Sequence, residues 1–100
     1  MGQIARPHED AKIESLRKDP AYAAEYLNAV LVDGDQEEVM VTLRYLAQAF
    51  GGVGGVAEKT DLNATTLYRT LSPKGNPELR SLTAILKAMG MRLAVQPIHP

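Results

Sequence analysis

The sequence has no cysteine and no tryptophan, and Phe50 is its single phenylalanine among 100 residues. Without cysteine there is neither a disulfide framework nor a cysteine-rich zinc site. With so few aromatics, a core must be built from Leu, Val, Ile, Ala and Met, enough for one small helical domain. No apolar run approaches the roughly 20 residues that cross a bilayer. The opening MGQIARPHEDAK holds no apolar signal core, so secretion is not expected and a cytoplasmic protein is. Arg6 stands where a myristoylation signal has Ser or Thr. Histidine is scarce as well: His8 and His99 lie near the two ends beside prolines, with no third ligand marked out for a metal. The cluster Asp33, Asp35, Glu37, Glu38 lacks the spacing of a calcium loop. Ser15 and Ser72 have no base beside them, and no nucleophile–base–acid constellation stands out. Neither an enzyme nor a cofactor is expected.

What is present is a split of charge. The formal net charge is −1. Residues 1–52 carry Arg6, Lys12, Arg17, Lys18 and Arg44 against nine acids, a net −4. Residues 53–100 carry Lys59, Arg69, Lys74, Arg80, Lys87 and Arg92 against Glu58, Asp61 and Glu78, a net +3. Such a division fits DNA contact by one end and another task for the other.

Helix signals punctuate the chain. Residues 1–8 show no periodicity and read as a flexible tail. Ile13 and Leu16, three apart, suggest a short helix over Glu9–Lys18. Asp19-Pro20 is a start signal, a capping carboxylate followed by proline in the first turn. The helix it opens runs to about Val32, with Ala23, Tyr26, Leu27, Val30 and Leu31 on one face. Asp35 and Glu38 have capping-box spacing. The next helix carries Val39, Leu43, Leu46 and Phe50 as a stripe widened by Met40 and Ala47, and Gly51-Gly52 ends it. The run Gly51-Gly52-Val53-Gly54-Gly55 lacks the Gly-Lys-Ser/Thr ending of a phosphate loop and no strand precedes it, so it reads as loop and helix end. Ser72 to Pro77 is turn-rich, and Pro77 opens a helix to Met89 with Leu79, Leu82, Ile85, Leu86 and Met89 inward. Met91–Ile98 alternates, a strand signal. A lone strand leaves its backbone groups unpaired, so Arg92, Leu93, Ala94, Val95 and Gln96 are expected to pair with a second copy or with another protein. A tail lying on the core is the alternative.

The most specific stretch is Val56–Leu71. A short segment, Val56–Thr60, meets a turn at Asp61, where a left-handed residue is expected. Asn63 then caps a second helix, Ala64–Leu71, with Leu67 and Leu71 inward. Two short helices joined in this way make a helix-turn-helix, whose second helix can enter the major groove. Ala64, Thr65, Thr66 and Arg69 are the base-reading candidates. Lys59, Asn63, Tyr68, Lys74 and Arg80 are the candidates for phosphate contact, which positions without specifying. The alternative is a small helical bundle whose Thr and Arg are solvated.

From about residue 10 to 98 the chain resembles the addiction-module antidote proteins, small antitoxins similar to the HigA type. The segments that carry the resemblance are Tyr26-Leu27-Asn28, Leu67-Tyr68-Arg69-Thr70-Leu71 and Lys74-Gly75-Asn76-Pro77. The resemblance implies a mainly α, lambda-repressor-like helix-turn-helix domain of five or so helices with one short C-terminal β-strand. Its expected layout is a tail (1–8), an N-terminal helical extension (9–34) and the DNA-binding domain (35–100). It further implies an antitoxin that binds a toxin of the mRNA-cleaving RNase class and, as a homodimer, represses its operon on double-stranded operator DNA. A stand-alone regulator of the same fold is the alternative. Two positions depart from the family: Asp61 replaces the usual turn glycine, and Ala64 replaces a longer polar side chain. A toxin that cuts RNA is expected to be basic, which directs attention to the acidic N-terminal helices. There Glu14, Tyr22, Glu25 and Tyr26 are the toxin-facing candidates.

Overall fold

A computed structural model of the chain describes residues 7–99. Most of the expected tail, residues 1–6, lies outside the described residues. Among the described residues there are six helices: α1 (Pro7–Lys18), α2 (Pro20–Asp33), α3 (Gln36–Ala49), α4 (Gly52–Glu58), α5 (Ala64–Thr70) and α6 (Leu79–Ala88). α3 is the hub and packs on α1, α2 and α4; α4 in turn carries α5 and α6.

The helix starts follow their sequence signals. Asp19 accepts the Tyr22 N–H at 3.1 Å, with proline in the first turn of α2. Asp35 and Glu38 close a reciprocal capping box, at 2.8 Å and 3.2 Å. α1 places Glu9 and Asp10 in its first turn and Arg17 and Lys18 in its last, complementing the helix dipole. Arg17 Nε also donates to the Ala49 carbonyl oxygen at 3.2 Å, which ties α1 to the C-terminal end of α3. Leu16, Ala23 and Leu27 enter one core with Met40, Leu43, Leu46, Val53, Val56, Leu67, Leu71, Ile85 and Leu86. Each large aliphatic side chain so buried contributes about 1.5–3 kcal/mol of transfer free energy.

The α3 stripe is shifted from its expected centre. Met40, Thr42, Leu43, Leu46, Ala47 and Ala49 are buried, whereas Val39 and Phe50 are only partly so. Thr42 is accommodated because its hydroxyl donates to the Glu38 carbonyl oxygen at 2.8 Å.

Five local expectations need correction. The glycine run ends α3 as expected, but the rest of it is helix, not loop. The backbone turns at Gly51 (φ 115°) and Gly52 (φ 78°), and α4 begins at Gly52. Val53, Val56 and Ala57 then fall on one face and are buried, so tertiary burial outweighs the glycines' poor helix propensity. Asp61 is not left-handed, since no non-glycine residue described has a positive φ. Thr60 organises that turn instead: its hydroxyl donates to the Ala57 carbonyl oxygen at 3.0 Å and accepts the Leu62 N–H at 3.1 Å. Pro77 lies before α6 rather than in its first turn, for Glu78 is the N-cap. Leu79, expected inside, is 70% exposed; Leu82, one turn later, is the first leucine of α6 to pack on the core.

A further correction concerns the C-terminus. Among the described residues there is no strand, and residues 91–97 carry no regular secondary structure. A ladder needs a neighbour, and this single chain offers none.

Candidate nucleic-acid and partner interfaces

The α4–α5 pair is built outward from the core. Val56 and Ala57 hold α4 against α3, while Leu67 and Leu71 anchor α5. Asn63 Oδ1 accepts the Thr66 N–H at 2.7 Å, the cap its position calls for. With Leu67 inward, Ala64, Thr65, Tyr68 and Arg69 are exposed and Thr66 is half-buried. The connection between the helices spans residues 59–63.

The phosphate candidates divide. Lys59, which caps the C-terminus of α4, and Asn63 flank the connection, and both are exposed. Lys59 shares an open groove with Lys87, between the ends of α3, α4 and α6. Arg80 borders a different cleft, with Asp61 and Glu78. Lys74 is exposed in the loop after α5. That loop is fastened to α3: Gln36 Nε2 donates to the Gly75 carbonyl oxygen at 3.0 Å.

One residue that bears on α5 escapes sequence reasoning. Arg44, on α3, donates from Nη2 to the Tyr68 carbonyl oxygen at 3.0 Å. Its guanidinium carbon lies 5.1 Å from the Tyr68 ring centroid. A cation at the last turn of a helix faces the negative end of its dipole, so Arg44 holds α5 on α3 through both charge and ring. No spacing rule marks it, because it sits between Leu43 and Tyr45 in an apolar stretch.

The toxin-facing candidates sit at the seam of α1 and α2. Tyr22 and Tyr26 stack with centroids 6.1 Å apart and planes 6° from parallel. Lys12 Nζ reaches over the Tyr26 ring at 4.4 Å and donates to the Tyr22 hydroxyl at 3.3 Å. Glu14 pairs with Arg17, and Glu25 is exposed. The two tyrosines thus present one edge of a packed aromatic unit, not two independent side chains. At the other end, Arg92, Leu93, Ala94, Val95 and Gln96 are all exposed.

Among the described residues no group of three or more His, Asp or Glu could hold a metal, and no helix is long and apolar enough to cross a membrane.

These features define a small helical domain organised around a pair of short helices, the second capped by Asn63, with distinct surfaces at either end of the chain. A family model described as probable addiction module antidote protein matches residues 9–97. The chain belongs to that family, the antidote side of a toxin–antitoxin pair. No curated protein and no solved structure matches it significantly.

Proposed function

We propose that this antidote acts in the cytoplasm as a non-enzymatic, two-ended binding protein. One end neutralises a toxin of the mRNA-cleaving class by direct contact. The other represses the shared operon as a dimer on operator DNA. The observation that carries the DNA half is the presentation of α5: Leu67 and Leu71 are fully buried while Thr65 and Arg69 are exposed, as are Lys59 and Asn63 in the connection before it. A helix-turn-helix presents its second helix in this way, N-terminal residues toward base edges. Thr65 can donate and accept and offers a methyl to thymine; Arg69 can reach guanine or a phosphate. The toxin half draws on family membership and on the net −4 of residues 1–52, which suits a basic RNase.

Two measurements test the reading. In fluorescence anisotropy on the protein's own promoter, Arg69→Ala and Thr65→Ala each weaken specific binding by about 1–3 kcal/mol if they read bases. Unchanged affinity would remove α5 from the readout face. Co-expression with the adjacent toxin gene restores growth if the chain is its antitoxin, and persistent growth arrest sinks that half.

A further inference from the structure

The seam between α2 and α3 holds a cleft that none of the surfaces above uses, with a volume of about 240 Å³. Tyr26 and Val30 line it from α2, Val41 and Tyr45 from α3, and Glu37 and Glu38 from the first turn of α3. The sequence builds it by spacing. Tyr26 and Val30 stand four apart, as do Val41 and Tyr45, so each helix gives one aromatic and one aliphatic side chain to the same side. The chain turns between the two helices at Gly34, where a Cβ would stand 2.8 Å from the Val30 carbonyl oxygen. Pockets for small molecules are usually about 300–1,000 Å³, so this one is sized for a single side chain.

Its polar groups are open. Among the described residues, the Glu37 carboxylate and the Tyr26 and Tyr45 hydroxyls have no hydrogen bond and no ion pair. Glu38 is fixed by the capping box, since its Oε1 accepts the Asp35 N–H at 3.2 Å, and its second carboxylate oxygen has no partner. The Thr42 hydroxyl is already committed to the Glu38 carbonyl oxygen. No Lys or Arg lines the cleft. Around it, Asp33, Asp35, Glu37 and Glu38 follow one another with no base among them. Helix capping employs Asp35 and Glu38 and leaves Glu37 without a task.

This combination has one chemical complement among side chains. The guanidinium of arginine is flat, weakly hydrated and always charged. It lies against aromatic and aliphatic surface while its N–H groups fork onto carboxylates. The ammonium of lysine brings the charge without the plane. A phosphate is repelled by the two glutamates, which separates this cleft from the DNA-facing end. Tyr26 also belongs to the stacked pair at the α1–α2 seam, so the cleft continues the surface where the toxin-facing candidates lie.

We propose that the cleft receives an arginine side chain of the toxin, its guanidinium bonded to Glu37 and Glu38 and packed between Tyr26 and Tyr45. The proposal rests on the antitoxin reading above and gives it a contact. A carboxylate already held in place by a cap loses little freedom on binding, which favours a defined geometry.

Two probes test it, one of them free of toxin. In NMR titrations of the full chain, N-acetyl-arginine amide shifts the Tyr26, Tyr45 and Glu37 resonances together at millimolar concentration. N-acetyl-citrulline amide, of the same shape without the charge, does not. Glu37→Lys, at an exposed site, places the chain's own cation in the cleft, keeps the helical circular dichroism and abolishes the shifts. In calorimetry with the purified product of the adjacent toxin gene, Glu37→Gln weakens binding severalfold and Glu37→Lys about tenfold or more. Equal shifts with citrulline overturn the proposal, as does a Glu37→Lys chain that binds toxin as tightly as wild type. Loss of self-association in Glu37→Lys without toxin also overturns it, in favour of a second copy as the occupant. The antitoxin reading fails separately: it falls if the wild-type chain itself does not bind the toxin, whereas wild-type binding that Glu37→Lys leaves intact sinks the cleft alone.

Discussion

Arg44 and Tyr68 join α3 to α5 twice, by a 3.0 Å hydrogen bond from Nη2 to the Tyr68 carbonyl oxygen and by a guanidinium–ring contact at 5.1 Å. The arrangement has a cost. Arg44 Nε is buried with no partner among the described residues, and such a donor loses its hydration. The two contacts offset that loss, so the net effect is smaller than their sum. Arg44→Ala is expected to destabilise the fold by about 1–3 kcal/mol in urea unfolding. Amide exchange should rise more in α5 than in α1. Arg44→Lys should recover only part, because an ammonium lacks the planar fork that bonds the carbonyl while lying over the ring. Equal acceleration throughout the chain would mean that Arg44 serves the core in general rather than α5.

Asn63 supports the same helix from its other end. α5 has only seven residues, too few to be stable alone, so its cap is a large share of its local stability. Asn63→Ala should cost about 1 kcal/mol, a fall of roughly 4–8 °C in Tm for a domain this size. Asn63→Ser keeps a side-chain acceptor and should stay within a few tenths of a kcal/mol of wild type. If serine is as damaging as alanine, the 2.7 Å bond to the Thr66 N–H is not what matters there.

These caps also show how much of the fold the sequence carried. Asp19, Asp35 with Glu38, and Asn63 each cap the helix their spacing indicates, since a cap is a local interaction between residues two or three apart. Where burial decided, local signals misled. Glycines hid the face formed by Val53, Val56 and Ala57, and the apolar period of α6 drew Leu79 inward although it lies largely in solvent. In the candidate interfaces, outward positions on α5 followed from Leu67 and Leu71 pointing inward. Arg44 did not follow, because its partner is 24 residues away. The seam of Lys12, Tyr22 and Tyr26 was half legible: the tyrosines are one turn apart, but Lys12 comes from another helix.

Gly75 is a steric requirement, not one of backbone angle. A Cβ there would stand 1.9 Å from the Thr70 carbonyl oxygen. That oxygen belongs to the end of α5, so even alanine forces the loop away from the helix and strains the Gln36 bond to the Gly75 carbonyl oxygen. Gly75→Ala is expected to cost about 1–3 kcal/mol, in the range of overpacking substitutions. Gln36→Ala, which removes the bond without a clash, should cost about 1 kcal/mol or less. Denaturant midpoints for the two variants check this, and a Gly75→Ala midpoint equal to wild type would show that the loop moves freely.

Leu16 and Leu79 make a matched pair for asking whether the two N-terminal helices belong to the same cooperative unit as the rest. Both are helix leucines, but Leu16 has no exposed surface and Leu79 is largely in solvent. Leu16 packs in the core that also holds Leu43 and Leu67. Leu16→Ala is therefore expected to cost about 2–5 kcal/mol, and Leu79→Ala within about 0.5 kcal/mol of nothing. A single shared core further predicts one unfolding transition for both variants, coincident by circular dichroism and tyrosine fluorescence. If α1 and α2 were a detachable arm, Leu16→Ala would split the curve, with the arm melting first and residues 35–88 holding the wild-type midpoint. The Arg17 bond to the Ala49 carbonyl oxygen argues for the single transition, because it fastens α1 to the far end of the helix on which α4 packs.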